Sequence, residues 1–371
     1  MTRREFIRWA AGAVSLAGAG LAPGCGVAPA EIRPRSAELL GPPLGPEEER
    51  ILAHAALAPS GHNTQPWTVR ILDKRRWIVG VNSGRKLAAV DPADRELALS
   101  VGAFVENLAV AASASGLAAE IDVRSSARDA AELVLVRLVP AAPGDERDLE
   151  RLRLRRTVRK ALQRDRIRPE NLKSITEPYG GNAAWFPAGS REAKWLAEAE
   201  LEAFRKQTWR DDAQHELSRW IRFSSEDVER HQDGLTPATM ETGALAAFYM
   251  RYFMERDSVL KKSFRDAGID ITARQVSEGA GWLVVTSPGE TTSSLLDTGR
   301  RFERMALRLR ERRLAAHPMS QLLEEEPWCS LTARELALPA APQFLLRVGY
   351  VAEYPSPVSP RRPPRAFARM G

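Results

Sequence analysis

The chain of 371 residues is 44% hydrophobic and 27% charged, with 25 Gly and 25 Pro, proportions of a folded globular protein that disfavour disordered, collagenous and multi-span membrane classes. Two cysteines, Cys25 and Cys329, exclude a disulfide framework and a Cys-rich zinc module. The net charge of +6 is the balance of 54 basic and 48 acidic residues spread along the chain, without the clustering that nucleic-acid binding needs.

Residues 1–30 read as a leader. Arg3 and Arg4 stand ahead of an uncharged, Ala/Gly-rich run from position 9 to about 21, the pattern of a twin-arginine export signal. The run is shorter than the roughly 20 residues that span a bilayer. The expectation is export by the twin-arginine translocon to the periplasm or cell envelope, a route that resembles those carrying folded, cofactor-loaded proteins. Cys25 follows small residues, as an acylated lipoprotein cysteine would, but Ala22 and Pro23 match that signal poorly, so a lipid anchor is the alternative to a cleaved soluble end. Residues 27–47, rich in proline, read as a tether.

Helical spacing over 48–57 is stopped by Pro59 and Gly61. Runs at 68–72 and 77–81 form a hairpin pattern. From Asp94, Leu97, Val101, Phe104, Leu108 and Ala112 recur at steps of four and three, a long buried helix ending near Gly116, and 132–139 reads as a strand. These make a first half, 45–150.

The second half, 151–371, repeats the order: a strand at 282–286, a helix from Ser293 with Leu295, Gly299, Phe302, Ala306 and Leu309 on one face, and a strand at 344–348. Gly102, Val105, Glu106, Leu108 and Ala109 overlay Gly299, Phe302, Glu303, Met305 and Ala306 at a shift of 197 positions (299 − 102). About 190–265, with Trp195, Trp209 and Trp220, has no counterpart in the first half and reads as a helical insertion. It is a lid candidate ending near the turn Asp233-Gly234-Leu235, or else two more core helices.

The segment richest in site chemistry is Ala58-Pro59-Ser60-Gly61-His62-Asn63-Thr64-Gln65-Pro66-Trp67. A flavin ring presents an edge of alternating acceptors and one N–H, which carboxamides and free backbone groups in a tight turn can match. Pro59, Ser60 and Gly61 supply the turn, Asn63 and Gln65 the amides, Pro66 an extended exit, and Trp67 an anchor in the core. A phosphate calls for Arg forks. Arg155 and Arg159, four apart, would share one helix face, with Arg156 pointing elsewhere, and Arg362 is the choice from the tail, with Arg361 beside it.

This segment, together with Arg155-Arg156-Thr157-Val158-Arg159 and the ending Pro342-Gln343-Phe344-Leu345-Leu346-Arg347-Val348-Gly349-Tyr350 followed by Arg361-Arg362-Pro363, resembles the signature of the FMN-dependent nitroreductase family. The Arg motif lies after the Pro-Ser motif, which resembles the Acg-like subgroup, where one chain holds two nitroreductase-like halves. The resemblance covers most of 45–371. It implies an α+β fold with two tandem pseudo-repeats around antiparallel-type sheets packed with helices. It also implies FMN bound by Ser60, Gly61, Asn63, Gln65, Trp67, Arg155, Arg159 and Arg362. The implied activity is an oxidoreductase of nitro or quinone-like acceptors, its chemistry carried by FMN without a catalytic side chain. A catalytically silent, lid-closed FMN store is the alternative.

Other chemistries find little support. His54, His62, His215, His231 and His317 have no metal-ligand spacing, alone or with Cys329. Ser60 and His62, two apart, do not make a hydrolase pair, and no G-x-S-x-G elbow occurs. Without a G-x-G-x-x-G after a strand, NAD(P)H or another donor would dock only transiently.

Overall fold

Residues 40–371 are described by a computed structural model; the expected leader, with Arg3, Arg4 and Cys25, and most of the tether lie outside the described residues. The chain enters through α1 (Pro46–Ala55), whose Glu48 carboxylate accepts from the Gly45 N–H at 2.9 Å and so caps the helix start. Next comes the hairpin of β1 (Trp67–Ile71) and β2 (Arg76–Val81), in register Trp67 opposite Val81. Its turn closes because one Asp73 carboxylate oxygen accepts the N–H groups of Arg75 and Arg76, both at 2.8 Å.

The helix α2 (Arg95–Ser113) follows, then β3 (Leu117–Val123) and β4 (Val134–Pro140), close to the bounds expected from spacing. These strands form one sheet in the order β3-β4-β2-β1, and β9 (Ala368–Met370) completes it at the far edge. β9 runs parallel to β1, a departure from the antiparallel-type pairing expected of the sheets. It can do so because the tail returns from the other end of the chain instead of through a hairpin.

The second sheet is antiparallel, ordered β5-β6-β8-β7, from β5 (Ala183–Pro187), β6 (Gly281–Thr286), β7 (Leu314–Pro318) and β8 (Pro342–Tyr350). Every residue of β6 is buried, because helices cover both faces of this sheet. On one face, Phe302 and Met305 of α10 (Thr292–Leu309) pack on Leu283, Val285 and Leu346. On the other, Leu196, Ala199 and Ala203 of α5 (Arg191–Trp209) pack on Trp282, Val284 and Leu345. The start of the supposed insertion is therefore core, the second of the two readings for that region.

α2 and α10 cross at two glycines. A β-carbon on Gly102 would lie 2.2 Å from the Leu296 carbonyl oxygen, and one on Gly299 would lie 2.1 Å from that of Leu99. The contact is reciprocal, since Leu99 and Leu296 stand at the same shift as Gly102 and Gly299, the relation seen across a two-fold interface. α2 is long and apolar enough to cross a membrane, yet most of it is buried here as the central helix of the first core.

Candidate functional site

The Pro59–His62 turn, the 155–159 segment, the strand-like return at 358–361 and the segment 235–239 enclose a cleft of about 520 Å³, its open mouth included. Pro59, Ser60, His62 and Asn63 form one wall and Arg155, Arg156, Thr157 and Arg159 another. Leu235 and Thr239 form a third, and Val358, Ser359 and Arg361 the fourth.

The first wall is a loop of unusual backbone. His62, Asn63 and Gln65 all have positive φ, at 47°, 55° and 50°. Such conformations survive only where the surroundings over-determine them. Here the surroundings are a strap, residues 232–241, from the middle of the supposed insertion. The Gly234 N–H donates to the Asn63 carbonyl at 3.1 Å and the Asn63 amide donates back to the Gly234 carbonyl at 3.0 Å. The Gln65 amide donates to the Gln232 carbonyl at 2.9 Å. Asp233 holds both Arg85 (2.8 Å) and Arg222 (2.6 Å). The Asp233-Gly234-Leu235 turn thus secures the motif loop rather than simply ending a helical excursion.

The two expected amides are turned into the protein. Asn63 also donates to the Pro360 carbonyl (3.2 Å) and accepts from Arg361 (2.9 Å). Gln65, fully buried, accepts the Arg362 N–H at 2.9 Å. Ser60 lines the cleft while its hydroxyl oxygen accepts the Gln65 N–H at 2.9 Å. Gly61 lies behind that wall, where a β-carbon would meet Leu87 at 3.0 Å and Glu96 at 3.2 Å. Trp67 is wholly buried and stacked on Phe104, ring centroids 4.9 Å apart. It anchors β1 and does not reach the cleft, because a strand that begins in the core carries its first side chain inward.

The Arg motif is not helical. α3 (Arg147–Leu154) ends one residue before it, and Arg155 is already extended at φ −60°, ψ 133°. The physical reason is Val158, which packs against Leu162, Ala315 and Val351. With Val158 packed inward, Arg155, Arg156, Thr157 and Arg159 line the cleft. The two arginines share a wall without a helical turn between them.

The charges in the cleft are unequally compensated. Arg155 Nε lies 3.1 Å from the buried Glu303 carboxylate, an ion pair without hydrogen-bond alignment. Arg156 pairs with Glu241 at 3.0 Å. Arg159 gives its Nε to the Thr239 carbonyl (3.0 Å) and makes no ion pair among the described residues. Arg361 donates to Asn63 and to the Pro360 and Leu57 carbonyls (2.9 and 3.1 Å), again without an ion pair among those residues. Burial, then Arg155 nearby, pushes Arg361 down to about 9 against the pull of Glu303; it remains a cation at neutral pH. Burial raises Glu303 to about 7, opposed by Arg155, Arg361 and Asn107. Asn107, with its amide nitrogen donating to Glu303 at 3.0 Å and its oxygen accepting the Ala58 N–H at 3.0 Å, ties that carboxylate to the start of the motif.

Arg362 faces away from the cleft. Its guanidinium donates to the Gln65 carbonyl at 2.7 Å and to Ala366, beside the Phe367 ring. Adjacent residues of extended chain point to opposite sides, so Arg361 takes the cleft position and Arg362 locks the motif loop from behind. Spacing alone missed Glu241 and Thr239, which lie near no recognisable motif, and it singled out Glu303 and the Asp233-Gly234-Leu235 turn without linking either to the cleft. His62 lay inside the motif but was overshadowed by the amides beside it. Among the described residues no group of His, Cys, Asp and Glu is placed to hold a metal ion.

No family model matches the chain. It is 25% identical over 328 residues, 83% of its length and 89% of theirs, to a Serratia protein provisionally named NAD(P)H nitroreductase PigM. It is likewise 25% identical over 329 residues, 83% of its length and 91% of the relative's, to a Mycobacterium tuberculosis protein provisionally named NAD(P)H nitroreductase Acg. A further M. tuberculosis protein of that provisional naming, Rv3131, is 32% identical over 99 residues, 27% of this chain and 28% of that one. With helices packed on two sheets and relatives of this kind along most of its length, the chain has an α+β fold of the nitroreductase-like type.

Proposed function

We propose that the cleft binds FMN and that the protein is an oxidoreductase of the nitroreductase type. The observation that carries this reading is the charge left over in the cleft. Of four arginines lining it, Arg155 and Arg156 are ion-paired, whereas Arg159 and Arg361 are not. Two guanidinium groups without an ion-pair partner among the described residues match a phosphate monoester carrying about −1.5 to −2 charges. Arg159 and Arg361 would hold that phosphate, and the Pro59–His62 wall would receive the ring. Flavin, when bound, supplies transfer of electrons from a reduced donor to a nitro or quinone-like acceptor. The chain's part is to bind, orient and shield. The names of the relatives support NAD(P)H as a donor.

A second reading is favoured by the strap. Residues 232–241 are hydrogen-bonded across the motif loop, which narrows access for a second substrate and fits a protein that stores flavin without turnover. One experiment decides. The purified protein is examined for bound flavin, then reduced anaerobically with NADPH or dithionite. Bleaching by both supports the oxidoreductase, bleaching by dithionite alone supports the store, and a protein that takes up no FMN removes both.

Two more expectations belong to this reading. The reciprocal crossing of Gly102 and Gly299 supports a duplicated unit, with halves at 45–150 and 151–371. The Arg3-Arg4 pair and the apolar run after it support export by the twin-arginine translocon, with Cys25 as a lipid-anchor position. Fusing residues 1–30 to a reporter active only outside the cytoplasm, with an Arg3→Lys, Arg4→Lys control, tests it.

A further inference from the structure

This inference rests on the flavin reading of the cleft. The residues expected to meet the ring's polar edge are already occupied. The Asn63 amide donates to Gly234 and Pro360 and accepts from Arg361, and the Gln65 amide is held by Gln232 and Arg362. Both amide N–H groups of Asn63 are spent, and Gln65 is fully buried.

Of the other polar residues of the loop that line the cleft, Ser60 and His62, the Ser60 oxygen already accepts the Gln65 N–H. His62 shares the left-handed backbone of the loop, at φ 47° and ψ 17°, with Asn63 and Gln65. Its Nδ1 is buried and has no partner among the described residues, whereas buried polar atoms in folded proteins are nearly always hydrogen-bonded. A buried, unpartnered nitrogen on a residue that lines the cleft is the mark of a group whose partner arrives with a ligand.

We propose that His62 is the side chain that binds the conjugated ring of the flavin whose phosphate Arg159 and Arg361 hold. Burial, reinforced by Arg159 and opposed by Glu96, lowers the basicity of the imidazole. A neutral ring has one donor and one acceptor nitrogen, and so can follow the alternating edge of the heterocycle where a cation could only donate. Arg159 and His62 thus divide the ligand between them, the first meeting its charge and the second its ring.

The test compares FMN with riboflavin, which has the ring and lacks the phosphate. Binding is followed by quenching of flavin fluorescence in the full-length protein and in H62F, H62N and R159A. The expected result is that H62F weakens FMN and riboflavin by the same factor, tenfold or more, and shifts the visible absorption of the bound flavin. H62N, which keeps a nitrogen near Nδ1 and tolerates the left-handed backbone, recovers most of the affinity. R159A weakens FMN and leaves riboflavin unchanged. Without flavin, H62N, which tolerates the left-handed backbone, unfolds at the parent's temperature, since Nδ1 has no partner to lose; a purely structural histidine would lower it. If H62F does not fold, H62A takes its place. Parent-like affinity and spectrum in H62F, with the parent binding both flavins, overturn the role of His62 and leave the flavin reading standing. A parent that binds neither flavin removes both.

Discussion

Asn63 and Gly234, 171 positions apart, hydrogen-bond each other in both directions, carbonyl of each to N–H of the other, through the Asn63 side chain in one case and its backbone in the other. This pair fastens the strap to the motif loop. Asn63 also holds a positive φ of 55°, which asparagine tolerates and alanine does not. Asn63→Ala is expected to lower unfolding free energy by about 2–3 kcal/mol, from the strained backbone and the buried acceptors left without donors. It should also speed proteolysis within 221–242 ahead of other sites. Urea unfolding and mapping of the first cleavage check both; unchanged stability would mean that the strap holds itself in place.

Arg159 of the Arg motif and Arg362 of the tail are expected to separate cleanly. Arg159→Ala removes a cleft cation whose side chain, among the described residues, hydrogen-bonds Thr239 alone, so FMN affinity should fall about 10–100-fold, the worth of one charge-assisted contact, with little change in stability. Arg362→Ala instead strands the Gln65 and Ala366 carbonyls and should lower stability by about 2 kcal/mol. Isothermal titration beside urea unfolding distinguishes them; equal losses of affinity and stability in both variants would contradict this division.

Stability should fall as pH rises from about 6.5 to 8. Burial pushes Glu200 up to about 8, against the N–H groups of Leu322 and Gln321, which favour its charged form. A carboxyl raised in the folded state contributes fully below its unfolded value near 4.5 and loses that contribution as pH climbs through the folded value. Glu303, raised to about 7, and Asp91, raised to about 6 by burial and then by Glu96, act in the same direction lower down. There His54, His62 and His317, all lowered by burial, oppose them, since each gains stability as pH rises toward 6.5. Above 6.5 that opposition ends. Glu200→Gln keeps the shape and should flatten the slope by up to about 1.4 kcal/mol per pH unit. Urea midpoints at half-unit steps from pH 6 to 9 read it directly.

The helix crossing admits nothing larger than glycine. Gly102→Ala and Gly299→Ala would each drive a methyl into a backbone carbonyl at 2.2 and 2.1 Å, which the helices can relieve only by moving apart. Each is expected to destabilise by about 3 kcal/mol. The double variant should lose less than the sum, because one displacement serves both methyls. Additive losses would show that the two contacts are independent.

Much of the fold was legible from hydrophobic spacing, because α2, α10 and the strands β2, β6 and β8 lie inside and their patterns are set by burial. The Arg motif was misjudged as helical because spacing of four suits a helix and an extended wall equally well, and only the pocket that takes Val158 decides between them. The tail was misassigned by one residue for a related reason: nothing in Arg361-Arg362 says which faces the cleft, which depends on Gln65, nearly 300 positions away. The amides of Asn63 and Gln65 suit a ligand on paper, but the same donors and acceptors suit a backbone, and the strap supplies one.

Because the helices that cross at Gly102 and Gly299 belong to one chain, a change on one side is not copied to the other, as it would be between identical subunits. Glu106 and Glu303 show the freedom this gives. Corresponding in the overlay, they serve different ends: Glu106 draws in Arg300 and Arg304 at 3.0 and 2.8 Å, while Glu303 sits beside Arg155 beneath the cleft. A symmetric pair would have to make two clefts or none; a single chain can refine one and let the matching surface take up other work.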